Sequence, residues 1–365
     1  MSIRRIEIAG ASSYAVVICD DAREAILAHL ADRFPQHARC VISDDVVAPL
    51  YARGIERALA TGDAPTRLLT FPSGESSKSR EVWALLGDAM FDARFGRDTV
   101  VVAVGGGVTG DLAGFVAATY MRGVPIVHVP TSLVAMVDAA VGGKTGLDVP
   151  AGKNLMGAFH APDAVIVDPG ALRTLPVRHL KEGLVEAVKH GAIADADYFD
   201  WIFARARALA CEGGPDGAEA RRLVERSIEI KAAVVSEDPL EQGRRAVLNF
   251  GHTIAHAIER ATGYAASHGQ AVAHGMIAEA RIGEAMGVTE TGTAARIEQA
   301  VGALELPPLP AFDRQDFLHA AGADKKNRGG AIRASLLRRI GDVARADDGA
   351  WTHAVPLDLL QAAVA

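Results

Sequence analysis

Two patterns of apolar positions divide the chain. In its first half, short β-branched runs recur at Ala38–Ser43, Thr99–Val104, Ile126–Val129 and Ala164–Val167, each bounded by Gly, Asp or Pro. Buried strands of a parallel sheet read this way. Between them, Ser79–Phe95 and Leu112–Tyr120 repeat apolar residues at helical spacing. Strand–helix alternation predicts a doubly wound α/β layer. From about Leu180 the strand signal disappears, and helical patterns follow at Leu180–Ile193, Asp197–Ala210, Ala218–Ser236, Ala246–Thr262 and Gln270–Met286. The stretch Asp168–Arg178, with Pro169 and Pro176, is the boundary candidate; Gly213–Gly217 and Leu306–Pro310 read as loops of the helical half. The expected organisation is an α/β domain over residues 1–170 and a mainly α-helical domain over 171–365.

Composition changes this picture by exclusion. Of the 365 residues 49% are hydrophobic and 23% charged, as in globular proteins. No run approaches the ~18–20 apolar residues of a membrane helix, so no membrane partner is expected. The start lacks a long apolar signal segment. The cysteines Cys19, Cys40 and Cys211 have no metal-type spacing and build no disulfide framework, which fits a reducing cytoplasm. A net charge of −7 argues against a nucleic-acid binder, so basic residues gathered at one place need a local purpose.

Thr99–Val104 runs into Gly105-Gly106-Gly107-Val108-Thr109-Gly110-Asp111 and then a helical pattern. A glycine turn between strand and helix admits a phosphate to backbone N–H groups and the positive end of the helix dipole. The spacing is not G-x-G-x-x-G, and a tight turn without a ligand accounts for the loop alone equally simply. Asp44, closing an earlier strand, could accept ribose hydroxyls or merely cap a helix. Gly74-Glu75-Ser76-Ser77-Lys78 is a second polar loop where strand passes to helix.

Asp138, Lys144 in Gly142–Gly146, and Lys153 beside Asn154 lie within one short region, where the two lysines set cations in glycine turns, an arrangement suited to an oxyanion. In the helical half Lys189 shares a face with Glu186, and Lys231 interrupts the apolar run Ile228–Val235. Glu241, Arg245 and Asn249 recur at four-residue spacing, as either an exposed ion-pair stripe or a binding face. Lys144, Lys153, Lys189, Lys231 and Arg245 together would select a small, multiply anionic ligand. His252 and His256 project from one helix face, His268 follows, and Glu186 lies on an earlier helix. A carboxylate and two imidazoles make an open Zn²⁺ site. Spacing alone does not choose the histidine pair. His190 and His274 are assigned to buried structural roles.

Gly105–Gly123 (GGGVTGDLAGFVAATYMRG), Val137–Asn154 (VDAAVGGKTGLDVPAGKN), Glu182–Gly191 (EGLVEAVKHG), Glu241–Glu259 (EQGRRAVLNFGHTIAHAIE) and His268–Met276 (HGQAVAHGM) together resemble the 3-dehydroquinate synthase family of sugar-phosphate cyclases. Asp324-Lys325-Lys326 with Ile340-Gly341 is similar to that family's C-terminal signature. The resemblance covers most of the chain in order.

It implies a dehydroquinate synthase-like fold: an N-terminal α/β dinucleotide-binding domain and a mainly helical C-terminal domain, with the active site in the cleft between. It implies NAD and Zn²⁺ (or Co²⁺) as cofactors and conversion of 3-deoxy-D-arabino-heptulosonate 7-phosphate (DAHP) to 3-dehydroquinate and phosphate. The route is transient oxidation at C5, phosphate elimination, re-reduction, ring opening and intramolecular aldol closure. By resemblance, Glu186, His252 and His268 hold the metal. Asp44, Glu75, Lys78, Gly106, Gly107, Val108, Asp111, Thr131, Ser132 and Asp138 meet NAD, with Lys144 and Lys153 close to it. Lys144, Lys153, Asn154 and His256 surround the phosphate, and Lys189, Lys231, Glu241, Arg245 and Asn249 meet the rest of the substrate. Lys231 and Arg245 take its carboxylate. Arg122 reaches the neighbouring subunit's site, implying a homodimer, and Lys325, rather than Lys326, faces the substrate.

After His268-Gly269 the family usually carries Glu, where this chain has Gln270. If residue 270 touches a metal-bound imidazole, the change predicts weaker zinc retention. Two other classes compete. Cyclases of sedoheptulose 7-phosphate or glucose 6-phosphate bind no carboxylate, and a metal-dependent alcohol dehydrogenase needs no Lys-rich phosphate pocket.

Overall fold

A computed structural model describes residues 3–10, 12–322 and 332–363. The chain divides into two compact units, Met1–Leu175 and Pro176–Ala365.

In the first unit the strands are β1 (Arg4–Ile8), β2 (Tyr14–Ile18), β3 (Ala38–Asp44), β4 (Thr66–Phe71), β5 (Thr99–Gly105), β6 (Ile126–Pro130), β7 (Lys144–Val149), β8 (Gly152–Phe159) and β9 (Ala164–Val167). Its helices are α1 (Ala22–Arg33), α2 (Arg53–Leu59), α3 (Arg80–Asp92) and α4 (Gly107–Thr119). Seven strands form one sheet in the order β1-β2-β9-β6-β5-β3-β4, with only β1 antiparallel. β5, apolar from Val100 on, is buried throughout because helices cover both its faces. Val100, Val102 and Val104 pack with Ile26 and Leu30 of α1 and Ile55 of α2. Val101 and Ala103 point the other way, to Leu86 and Met90 of α3 and Leu112 and Val116 of α4.

β1, β2 and β4 extend the sheet beyond the strands legible in sequence. β7 and β8 form a separate antiparallel hairpin, so Lys144 and Lys153 lie on strands, not in turns. α4 begins at Gly107, so the glycine run is already its first turn, with Gly106 at the cap.

The second unit contains α5 (Val177–Ala194), α6 (Ala196–Leu209), α7 (Gly217–Glu237), α8 (His252–Ala261), α9 (His268–Ala285), α10 (Thr293–Gly302), α11 (Arg314–Gly322) and α12 (Leu357–Ala363). It also holds short strands absent from the sequence reading: β10 (Arg333–Ala334) pairs with β13 (His353–Ala354), and β11 (Leu337–Arg339) with β12 (Asp342–Val343). The helix expected over Ala246–Thr262 is broken. Arg244–Asn249 is a 3₁₀ turn, Gly251 adopts φ 81°, and α8 starts at His252. The stripe Glu241–Arg245–Asn249 is therefore not helical, and Glu241 itself has φ 57°. His190 is fully buried, as expected, whereas His274 lies on the exposed side of α9.

Candidate functional site

In the first unit the chain progresses outward from β3 to β4, then crosses back to β5 and on to β6. Such a reversal leaves a crevice at the carboxyl ends of the strands, where ligands of doubly wound sheets bind. Asp44 ends β3 there. Its Oδ1 accepts the Val46 and Val47 N–H groups at 3.0 and 2.8 Å, and its Oδ2 accepts the Thr109 hydroxyl at 3.2 Å. The carboxylate thus caps its own turn and ties the glycine loop to the neighbouring strand. Beside it the Thr131 N–H donates to Gly105 O at 2.9 Å. A Cβ on Gly106 would stand 3.3 Å from Ser132 Oγ, so the absent side chain leaves that backbone open. Asp138 lies in the short helical turn that follows Ser132, and Val108 occupies the first turn of α4.

Lys78 is buried and places Nζ 2.6 Å from Asp111 Oδ2. Burial works against its charge, yet Asp111 and Glu75 hold its pKa above the usual lysine value. Glu75 lies 3.9 Å from Lys153 Nζ. Asp148 of β7 donates its N–H to Lys78 O and accepts the Asn154 N–H, both at 2.8 Å. This joins the hairpin to the polar loop of residues 74–78. Asn154 and Arg122 have φ of 53° and 73°, a left-handed backbone that side chains rarely adopt and that concentrates at functional positions. Lys144 is exposed at the start of β7.

The second unit gathers the metal candidates. Glu186 sits on α5 with no exposed surface, and its Oε1 lies 3.7 Å from His252 Nε2 and 3.3 Å from His268 Nε2. The candidate donor atoms of these three residues all lie within 4.8 Å of one another, and the set (one hard oxygen, two borderline nitrogens) suits Zn²⁺ or Co²⁺. His256, one helical turn on, stacks edge-to-face on His252 at 5.7 Å between ring centres.

Lys189 Nζ approaches Glu186 Oε2 to 2.5 Å. Burial, then the Lys189 ammonium, drives the His252 imidazole well below its usual pKa. For His268 burial works against the charge, but hydrogen bonds to Glu186 and Glu259 push it up to about 10. Lys231 is buried on α7, which packs on α5. The Arg245 guanidinium donates to Pro239 O at 2.6 Å, and Asn249 Nδ2 donates to Glu241 Oε1 at 2.8 Å. The broken helix therefore still brings Glu241 and Asn249 together, by a hydrogen bond across the loop. Lys325 lies outside the described residues, as does Lys326.

Gln270 does not meet the condition set for it in the sequence, and two acids went unread there. Gln270 forms a capping box with Ser267, and its Nε2 donates to Pro307 O and Pro308 O at 3.0 Å each. The side chain that reaches Nδ1 of His268 is Glu259, at 3.4 Å. The premise for weaker zinc retention is thus absent. Glu259 and Glu279 had one signal in sequence, an acid set on an otherwise apolar helix face.

Gln270→Glu is expected to keep the capping box, lose both carbonyl bonds and lower stability by about 1–2 kcal/mol. Zinc affinity should stay unchanged. Chemical denaturation and zinc competition check the two halves; a large change in zinc affinity would restore residue 270 to the metal centre.

The family descriptions "3-dehydroquinate synthase N-terminal" and "3-dehydroquinate synthase C-terminal" match residues 68–182 and 183–327. The 3-dehydroquinate synthase of Xanthomonas axonopodis pv. citri (strain 306) is 44% identical over 93% of this chain and 94% of that protein. That of Xanthomonas oryzae pv. oryzae (strain PXO99A) is 43% identical over the same shares. Among solved structures, 2-deoxy-scyllo-inosose synthase complexed with carbaglucose-6-phosphate, NAD⁺ and Co²⁺ superposes with a TM-score of 0.89 at 26% identity, covering 99% of each chain. The 2-epi-5-epi-valiolone synthase of Streptomyces hygroscopicus subsp. jinggangensis 5008, with NAD⁺ and Zn²⁺ bound, gives 0.85 at 29% identity, covering 99% of this chain and 98% of that one. A glycerol dehydrogenase from Schizosaccharomyces pombe, at 16% identity and a TM-score of 0.59, shares the fold alone. With both parts matched in order and 44% identity sustained along nearly its whole length, the chain belongs to the 3-dehydroquinate synthase family.

Proposed function

We propose that this protein converts DAHP to 3-dehydroquinate and phosphate. The observation that carries the proposal is a set of buried cations in the unit that holds the metal candidates: Lys189, Lys231 and Arg245 are 1%, 6% and 2% exposed in a chain of net charge −7. Lys231 and Arg245 are cations of the kind that hold a carboxylate such as that of DAHP, to which Arg offers a two-pronged fork. Neither sedoheptulose 7-phosphate nor glucose 6-phosphate has such a group. Identity points the same way, at 44% to a 3-dehydroquinate synthase against 26–29% to the two other cyclases.

In this reading Glu186, His252 and His268 hold Zn²⁺ or Co²⁺. Asp44, Glu75, Lys78, Gly106, Gly107, Val108, Asp111, Thr131, Ser132 and Asp138 hold NAD. When bound, the metal polarises substrate oxygens and NAD takes and returns a hydride, so the cofactor is regenerated in each turnover. The chain's own groups bind and orient. Lys144, Lys153, Asn154 and His256 position the phosphate. Lys189 and the paired Glu241 and Asn249 fix the hydroxyls. The phosphate itself accepts the C6 proton as it leaves, so the lysines act as positioning cations. The protein works as a homodimer to which Arg122 contributes across subunits, and in the cytoplasm, consistent with Cys19, Cys40 and Cys211 as free thiols.

Phosphate release with DAHP, sedoheptulose 7-phosphate and glucose 6-phosphate, followed together with absorbance of NADH, tests the proposal. Release from DAHP alone, without net NADH and abolished by chelator, is expected. Preferential release from another sugar phosphate, or accumulation of NADH with an alcohol, would overturn it.

A further inference from the structure

The helices that carry the two imidazoles also send a buried carboxylate to one another. Glu259, toward the end of α8 and 3% exposed, lies 3.4 Å from Nδ1 of His268, the first residue of α9. In return Glu279 of α9, with no exposed surface, accepts the N–H groups of Gly251, Thr253 and Ile254 at 2.7, 3.1 and 3.3 Å. Those N–H groups belong to the start of α8, where Gly251 provides no side-chain cap.

The same contact reaches His252. Its Nδ1 is 3.2 Å from Phe250 O, and Phe250 C=O and Gly251 N–H belong to one planar peptide. Glu279 therefore fixes the peptide that orients His252. The Nδ1 of each imidazole is held, one by a carboxylate and one by a peptide that a carboxylate fixes, while both Nε2 atoms face Glu186.

We infer that Glu259 and Glu279 form a reciprocal clamp that holds the tautomer and orientation of the two metal-binding histidines, making both carboxylates positioning residues. The inference rests on Glu186, His252 and His268 being the metal site. An outer partner on a metal-ligating imidazole is typically worth ~10–100-fold in metal affinity. A clamp built across α8 and α9 adds that the two ligand helices are fixed relative to each other before metal arrives.

The test is zinc competition and chelator-driven zinc release on the full-length protein and its Glu259→Ala, Glu259→Gln, Glu279→Gln and His268→Ala forms, with melting temperature and the visible spectrum of the Co²⁺-loaded proteins alongside. Glu259→Ala is expected to weaken zinc binding about 10–100-fold, speed its release and alter the Co²⁺ spectrum at a near-normal melting temperature. Glu259→Gln, which keeps an acceptor oxygen, should recover most of the loss. Glu279→Gln, which puts an amide donor among three N–H donors, should weaken zinc binding in the same direction; the Glu259 pair decides the matter if that variant does not fold. Wild-type zinc affinity in Glu259→Ala, with His268→Ala losing zinc, would overturn the clamp and leave the metal site standing. Wild-type affinity in His268→Ala would instead overturn the site itself.

Discussion

His252→Ala is expected to lower phosphate release from DAHP by about a thousandfold or more, with zinc lost from the purified protein. The reasoning starts from the donor set. Glu186 offers one oxygen to a dication, and His252 and His268 the two nitrogens; removing one nitrogen leaves too few protein donors for tight retention. A bound cation supplies several kcal/mol of charge stabilisation, and each 1.36 kcal/mol is tenfold in rate. His252 sits in the first turn of α8, and the Phe250–Gly251 peptide stays fixed by Glu279 when the imidazole is gone, so the fold should survive. Rate, zinc content and circular dichroism together check this. Activity within tenfold of wild type would remove His252 from the site.

Gly275→Ala should cost the second unit a large loss of stability for a single added methyl group. A Cβ at Gly275 would stand 1.9 Å from Gly251 O, 2.9 Å from Gly251 C and 3.2 Å from Ala255 N. All three atoms are backbone, so no side chain can swing aside, and α8 must move off α9. Overpacking usually costs about 1–3 kcal/mol; here the shift also pulls three N–H groups of α8 from Glu279. A loss of about 3 kcal/mol or more is expected, which for a unit of this size lowers the melting temperature by roughly 10 °C. Gly87→Ala in α3, with nothing within 4 Å of the added atom, is the contrast and should be neutral or stabilising by about 1 kcal/mol. Equal stability of the two variants would contradict the close helix crossing.

What was legible in the sequence follows only in part from where each element is buried, since β2, interior and largely buried at Tyr14–Ile18, was passed over. β3, β5, β6 and β9 lie inside the sheet and read as continuous β-branched runs. β1 and β4 are its edges, one face or more open to water, and Arg4-Arg5-Ile6-Glu7-Ile8 carries too few apolar residues to stand out. The β7–β8 hairpin was hidden by its glycines, which suggested turns. In the second unit apolar periodicity runs on across Phe250-Gly251, so counting it alone extends one helix through a break that Gly251 makes with a left-handed backbone.

The candidate metal triad was legible as chemistry, with the choice among His252, His256 and His268 left to the resemblance. Geometry shows why spacing could not choose: Glu186 arrives from α5 and meets Nε2 atoms from two different helices. Glu259 and Glu279 showed in sequence only as acids on apolar helix faces; their targets were hidden because each acts on another helix, at partners 9 and 25–28 residues away.

Crystallography of the zinc-loaded protein, with anomalous differences collected at the zinc edge, addresses the central claim most directly. The account predicts one strong peak at about 2.0–2.2 Å from a Glu186 carboxylate oxygen and from Nε2 of both His252 and His268. A peak coordinated by His256 in place of either imidazole, or by none of the three, would contradict it.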